Sequence, residues 1–104
     1  IFYADDLVSS LWKPHALNPV IFDSKLARNG GMIYSEKKQA YRVFQRQGFD
    51  NYGESLGVSK IITLTENEYK EEVCMNVMPD FFKDILGTHS FCYNSGVLVN
   101  DFVK

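Results

Sequence analysis

The chemistry available to this chain begins with its carboxylates, thirteen in 104 residues, because glycoside cleavage works through two of them set roughly 5 to 9.5 Å apart. Asp5, Asp6, Asp23, Asp50, Glu54, Glu71 and Asp101 are all available, and spacing marks no pair among them. His89 stands among Thr88, Ser90 and Phe91, where an imidazole could serve as acid, base or plain donor. The plainer alternative is a structural histidine. Arg28 precedes Asn29-Gly30-Gly31, a place where backbone needs freedom or close approach to a ligand. Its plainer alternative is a surface ion pair. GxSxG, GxxxxGK[ST] and HExxH patterns are absent, so nucleophile-elbow, phosphate-loop and zinc-hydrolase chemistry lose their sequence support. Cys74 and Cys92 lack CxxC spacing, and neither a metal nor a cofactor is expected.

Composition narrows the partners. A formal net charge of −2 argues against a nucleic acid, which needs clustered Lys and Arg. No run approaches the roughly 18 apolar residues of a membrane span, and the first residues lack signal-peptide character. Two sparse cysteines fit a reduced compartment, such as the cytoplasm, better than a disulfide scaffold. Aromatic residues make up 14% of the chain, which favours strands and gives a small core most of its burial energy. The chain opens on Ile1-Phe2-Tyr3-Ala4 without an initiator Met, which reads as a strand in progress and as a piece of something longer.

The elements that must carry these residues follow from alternation and turn chemistry. Residues 5–19 read as loop, with turn formers at Asp5-Asp6 and Ser9-Ser10 and helix breaking at Pro14 and Pro19. Residues 20–22 are a candidate short strand, and 32–35 a further one. Residues 39–47 alternate so that Tyr41, Val43 and Gln45 face one way while Arg42, Phe44 and Arg46 face the other. A turn over 48–53 leads to the longest strand, 55–65, with Val58, Ile62 and Leu64 on one face. Thr65 followed by Glu68 fits the capping-box pattern of a single helical turn. Residues 69–78 form a fourth strand, 81–86 read as a short helix or irregular loop, and 88–93 with 97–99 make a hairpin about Asn94-Ser95-Gly96. Four strands and a new hairpin are the cadence of side-by-side antiparallel sheets, although a small β-sandwich would give a similar string.

Several ordered motifs add to this: Phe2-Tyr3-Ala4-Asp5, then Trp12-Lys13-Pro14-His15 with Asn18-Pro19-Val20, then Ala27-Arg28-Asn29-Gly30-Gly31, then Tyr41-Arg42-Val43-Phe44-Gln45 and Tyr52-Gly53. Leu64-Thr65, Tyr69-Lys70-Glu71 and Gly87-Thr88-His89-Ser90 continue the series. In this order they resemble the family of five-bladed glycosidase-like β-propellers that includes the N-terminal domain of glucosamine inositolphosphorylceramide transferase. The resemblance implies an all-β, antiparallel chain forming about one and a half blades of a propeller. Residues 5–19 would be loop, 20–78 a blade-like unit and 87–104 the start of the next blade.

The resemblance also implies a ligand. Sugar-binding propellers turn polar side chains and an aromatic face toward a central channel, and Arg28, Gln45, Tyr52 and His89 are the residues expected to line it. Gln45 shares a face with Tyr41 and Val43, so a structural hydrogen bond is the alternative for its amide. Trp12 and His15 are expected to fill or latch the gap between blades rather than to do chemistry. The expected function is a carbohydrate-active domain taking a sugar, glycoconjugate or nucleotide-sugar, with glycosyl hydrolysis or transfer as the reaction if there is one. The alternative is a non-catalytic binding or oligomerisation module whose open strand edges pair with a second copy or with the remainder of a larger chain.

Overall fold

The structure, a computed structural model, describes residues 1–8, 11–50 and 52–104. Ser9, Ser10 and Asn51, which the sequence reading placed in turns, lie outside the described residues. The described residues form strands and turns without a helix. The strands are β1 (Phe2–Tyr3), β2 (Lys13–Pro14), β3 (Asn29–Tyr34), β4 (Ala40–Arg46), β5 (Ser55–Leu64), β6 (Tyr69–Val77), β7 (Phe91–Asn94) and β8 (Val97–Asn100). The chain is therefore all-β, with antiparallel pairing throughout.

Strands β3 to β6 meander into a four-stranded sheet in sequence order, flanked by the β1/β2 pair and the β7/β8 hairpin. The core sits on the two central strands: Val43 and Phe44 of β4 and Leu56, Val58 and Ile61 of β5 are its buried hydrophobic side chains. Consecutive burial of Val43 and Phe44 means that β4 is covered on both faces. Phe44 pairs across the sheet with Gly57, and a Cβ on Gly57 would stand 2.1 Å from the Phe44 ring. The phenyl thus occupies the space that Gly57 leaves open.

Two local readings change, and a third is decided between its two alternatives. On β5 the register shift between Ile61 and Thr63 leaves Ile62 as an extra residue and breaks strict alternation, while the shift at Val58 and Ser59 places its extra residue, Cys74, on β6. A bulge re-aims the side chains after it, so Ile61 is buried while Ile62 is 46% exposed. The Thr65 hydroxyl does accept the Glu68 amide at 2.9 Å, as in a capping box, but the Thr65 amide donates to the Glu68 carbonyl at 2.9 Å. The motif closes the β5–β6 turn and starts no helix. Residues 81–86 are irregular, and Asp84 has a φ of 65°, which a right-handed helix does not accommodate.

Residues 20–22 form no strand; Val20 and Ile21 instead wall a cleft against the sheet. Within the 5–19 loop, β2 pairs with β1, and His15 is almost fully buried. The His15 amide donates to Ile1 O at 3.1 Å, and its Nδ1 accepts the Leu17 amide at 3.1 Å. Trp12 is about half exposed, at 48%. At the other end, Asn94 pairs with Val97, so Ser95-Gly96 is a two-residue turn with φ of 50° and 82°, the type I′ geometry that suits a hairpin.

Candidate functional site

Arg28 immediately precedes β3, Gln45 lies on β4, Tyr52 sits in the turn before β5, and His89 lies in the extended segment before β7. The structure brings all four together. The Arg28 guanidinium lies over the Tyr52 ring at 4.5 Å, close enough for a cation–π contact. The Tyr52 and His89 rings are 4.9 Å apart between centroids, tilted by 37°. The Gln45 side chain donates through Nε2 to the His89 carbonyl at 2.8 Å, and its backbone amide donates to the Arg28 carbonyl at 2.9 Å.

A tight seam makes this convergence. The Thr88 amide donates to Gly53 O at 2.9 Å, and a Cβ on Gly87 would stand 2.5 Å from that same oxygen. A Cβ on Gly31 would meet Phe91 O at 2.6 Å, and one on Gly30 would meet His89 O at 3.1 Å. The glycines that punctuate the sequence thus let the segment before β7 lie directly on the sheet, and this close approach carries His89 to Gln45 and Tyr52.

Hydrogen bonding within the cluster is incomplete. Gln45 Oε1 is buried without a hydrogen-bond partner among the described residues. Because Nε2 is held by the His89 carbonyl, flipping the amide would set two carbonyl oxygens against each other, so the orphan acceptor is fixed in place. Such a group costs about 1 to 3 kcal/mol while unpaired. Arg28 makes no ion pair with a carboxylate among the described residues.

Asp101, just past β8, joins the cluster unannounced by any sequence pattern. Its Oδ1 accepts the amides of His89 at 2.8 Å and Ser90 at 2.7 Å. Burial pushes its carboxyl up, yet those two amides outweigh burial and hold it below the ordinary aspartate value. Asp23 and Glu54 make no hydrogen bond to Arg28, Gln45, Tyr52 or His89 among the described residues.

A separate cleft lies elsewhere. A cleft of roughly 700 Å³ is walled by Phe2, Pro19, Val20, Ile21, Met32 and Leu64, with Arg42 and Tyr69 also in its lining. Arg42 forms a fork with Glu71, Nε at 2.7 Å and Nη2 at 2.5 Å, and the Tyr69 hydroxyl donates to the same carboxylate. Burial pushes Glu71 up, but the Arg42 and Tyr69 hydrogen bonds win and hold it below its ordinary value. Burial, reinforced by the Glu71 charge and hydrogen bond, pushes Tyr69 up to about 12. The network ties β4 to β6 across β5.

No group of three or more His, Cys, Asp or Glu side chains that could hold a metal occurs among the described residues. Both cysteines are free and exposed. No helix of the described residues is long and apolar enough to cross a membrane.

Residues 1–85 match the family model described as glucosamine inositolphosphorylceramide transferase 1, N-terminal. That range includes Arg28, Gln45 and Tyr52 and stops short of His89 and Asp101. Among curated proteins the chain is similar to glucosamine inositolphosphorylceramide transferase 1 of Arabidopsis thaliana, with 44% identity over 62 residues. The aligned stretch is 58% of this chain and 8% of that protein, so the chain spans under a tenth of its relative's length. No solved structure matches.

Proposed function

Because this chain belongs to the family of the N-terminal region of glucosamine inositolphosphorylceramide transferase 1, we propose that it is a carbohydrate-handling domain that takes a sugar or glycoconjugate at Arg28, Gln45, Tyr52 and His89. The observation that carries the reading is their convergence: a guanidinium, an aromatic ring, an imidazole and a half-satisfied amide, drawn from four separate segments, meet at one place. Sugars are recognised by such a mixture of hydroxyl-binding polar groups and an aromatic surface. In this reading β3 to β6 form one blade of a β-propeller and β7/β8 open the next, so the site lies where two blades meet.

The role proposed is binding. Glycosyl hydrolysis by the usual two-carboxylate route needs two acids flanking the scissile bond, and since Asp101 is committed to the His89 and Ser90 amides, the remainder of a larger chain is where they would come from. The test is calorimetric titration with glucose, glucosamine, inositol and UDP-glucose, alongside Arg28→Ala and Tyr52→Ala. Binding by the unmodified chain that falls at least tenfold in both variants is expected, and binding that neither substitution alters would move the site elsewhere.

A second reading has its own observation. Strand β6 exposes Val73 and Met75, and β8 exposes Val97, Leu98 and Val99, both at open sheet edges. Exposed apolar edges are ordinarily covered, which favours an assembly module completed by further β-structure, from the rest of a longer chain or from a second copy. Light scattering over a concentration series separates the two sources: a rising mass indicates self-pairing, and a constant monomer mass excludes it.

A further inference from the structure

The imidazole of His89 is bounded on one side by Tyr52 of the proposed site and on others by Asp101 and Gly53, to which the reading above gives no role. Asp101 Oδ2 stands 3.7 Å from Nδ1, while Oδ1 of the same carboxylate grips the amides of His89 and Ser90. Thr88, fully buried, donates its hydroxyl to the Asp101 carbonyl at 2.7 Å, so the aspartate is itself anchored. At the opposite edge of the ring, a Cβ on Gly53 would lie 2.6 Å from Nε2 and 2.5 Å from Cδ2. The Tyr52 ring lies against the imidazole at 4.9 Å.

Which nitrogen of a neutral histidine carries the proton is set by what faces the other. At 3.7 Å the contact is too long for a hydrogen bond, but the negative charge of Asp101 Oδ2 facing Nδ1 still favours a proton on that nitrogen over a lone pair, which leaves Nε2 as the acceptor. The geometry points to Asp101 as the positioning residue of the candidate site, holding His89 as the Nδ1–H tautomer beside Tyr52. The tautomer follows from Asp101 alone; its consequence for ligand binding rests on the carbohydrate reading above.

Asparagine at this position separates positioning from mere structure. Asp101→Asn keeps a carbonyl oxygen for the two amides and turns a donor NH₂ toward Nδ1, which should drive the proton to Nε2. In nitrogen-15 spectra of histidine-labelled protein, His89 is expected as Nδ1–H in the unmodified chain and as Nε2–H in Asp101→Asn, with the amide signals of β3 to β6 unmoved. Affinity for whichever of glucose, glucosamine, inositol or UDP-glucose binds should fall about fivefold, the worth of one hydrogen bond. An Nε2–H tautomer in the unmodified chain overturns the assignment without need of a folded variant. So does a tautomer that Asp101→Asn leaves unchanged. If the tautomer switches but none of the four compounds binds the unmodified chain, the carbohydrate reading fails and the role of Asp101 stands.

Discussion

Gly53 illustrates how much of the candidate site hangs on single atoms. Its φ of +70° lies in the left-handed region, and its missing Cβ is where the His89 imidazole rests. Gly53→Ala therefore adds backbone strain and displaces the ring, and we expect a loss of about 1 to 3 kcal/mol in urea unfolding. Perturbed ring-proton shifts of Tyr52 should accompany it; an alanine variant with unchanged stability and unchanged Tyr52 signals would show that the close approach is absent in solution. The types of Arg28, Gln45 and His89 suggested polar chemistry from sequence, and Ala27-Arg28-Asn29-Gly30-Gly31 hinted at close backbone approach. Asp101 gave no such hint: one acid among thirteen acquires its role only when residues 88–90 fold onto it, and no local spacing encodes that contact.

At the scale of elements, alternation was a good guide where strands are regular and a poor one where they bulge. β4 keeps the faces its period-two pattern implies, with Phe44 in the core and Gln45 toward the site. β5 does not, because the register shift that leaves Ile62 unpaired breaks its alternation, and single-strand periodicity carries no signal for an extra residue that exists only relative to a partner. The Arg42–Glu71 fork with Tyr69 fastens β4 to β6 across β5, its two charged side chains only 10% and 11% exposed. Removing one partner leaves the other charge buried, so Glu71→Gln should cost about 3 kcal/mol in chemical denaturation; a cost below about 0.5 kcal/mol would mean the fork is solvated.

The same network sets limits on pH stability. Glu71 has a folded-state pKa below its ordinary 4.5, so its contribution is present above that value and is lost as pH falls through the folded one. Tyr69 is raised from 10.0 to about 12, so its contribution is complete below about pH 10 and is lost as pH climbs toward 12. Denaturation midpoints measured against pH should fall at both ends, and Glu71→Gln should flatten the acid limb. An acid limb identical in the variant would assign acid sensitivity to other carboxylates.

The whole molecule is a four-stranded meander and a hairpin joined at a glycine-rich seam, with much apolar strand surface open to solvent. Composition and motif order made the all-β architecture and the family legible, because hairpin turns and alternating strands are local signals. How two sheets meet is a non-local fact, and there the motifs offered only an expectation. If the exposed edges pair with a second copy, as the assembly reading proposes, the mass in solution should rise with concentration, and a monomer mass that persists at high concentration would exclude self-pairing.

The carbohydrate reading turns most directly on titration of the unmodified chain, Arg28→Ala and His89→Ala with glucose, glucosamine, inositol and UDP-glucose, following the ring signals of Tyr52 and His89 by NMR. Saturable shifts at both rings with at least one compound, weakened tenfold or more in each variant, are the predicted result. Rings that stay unmoved by all four compounds at millimolar concentration would contradict a sugar site at this cluster.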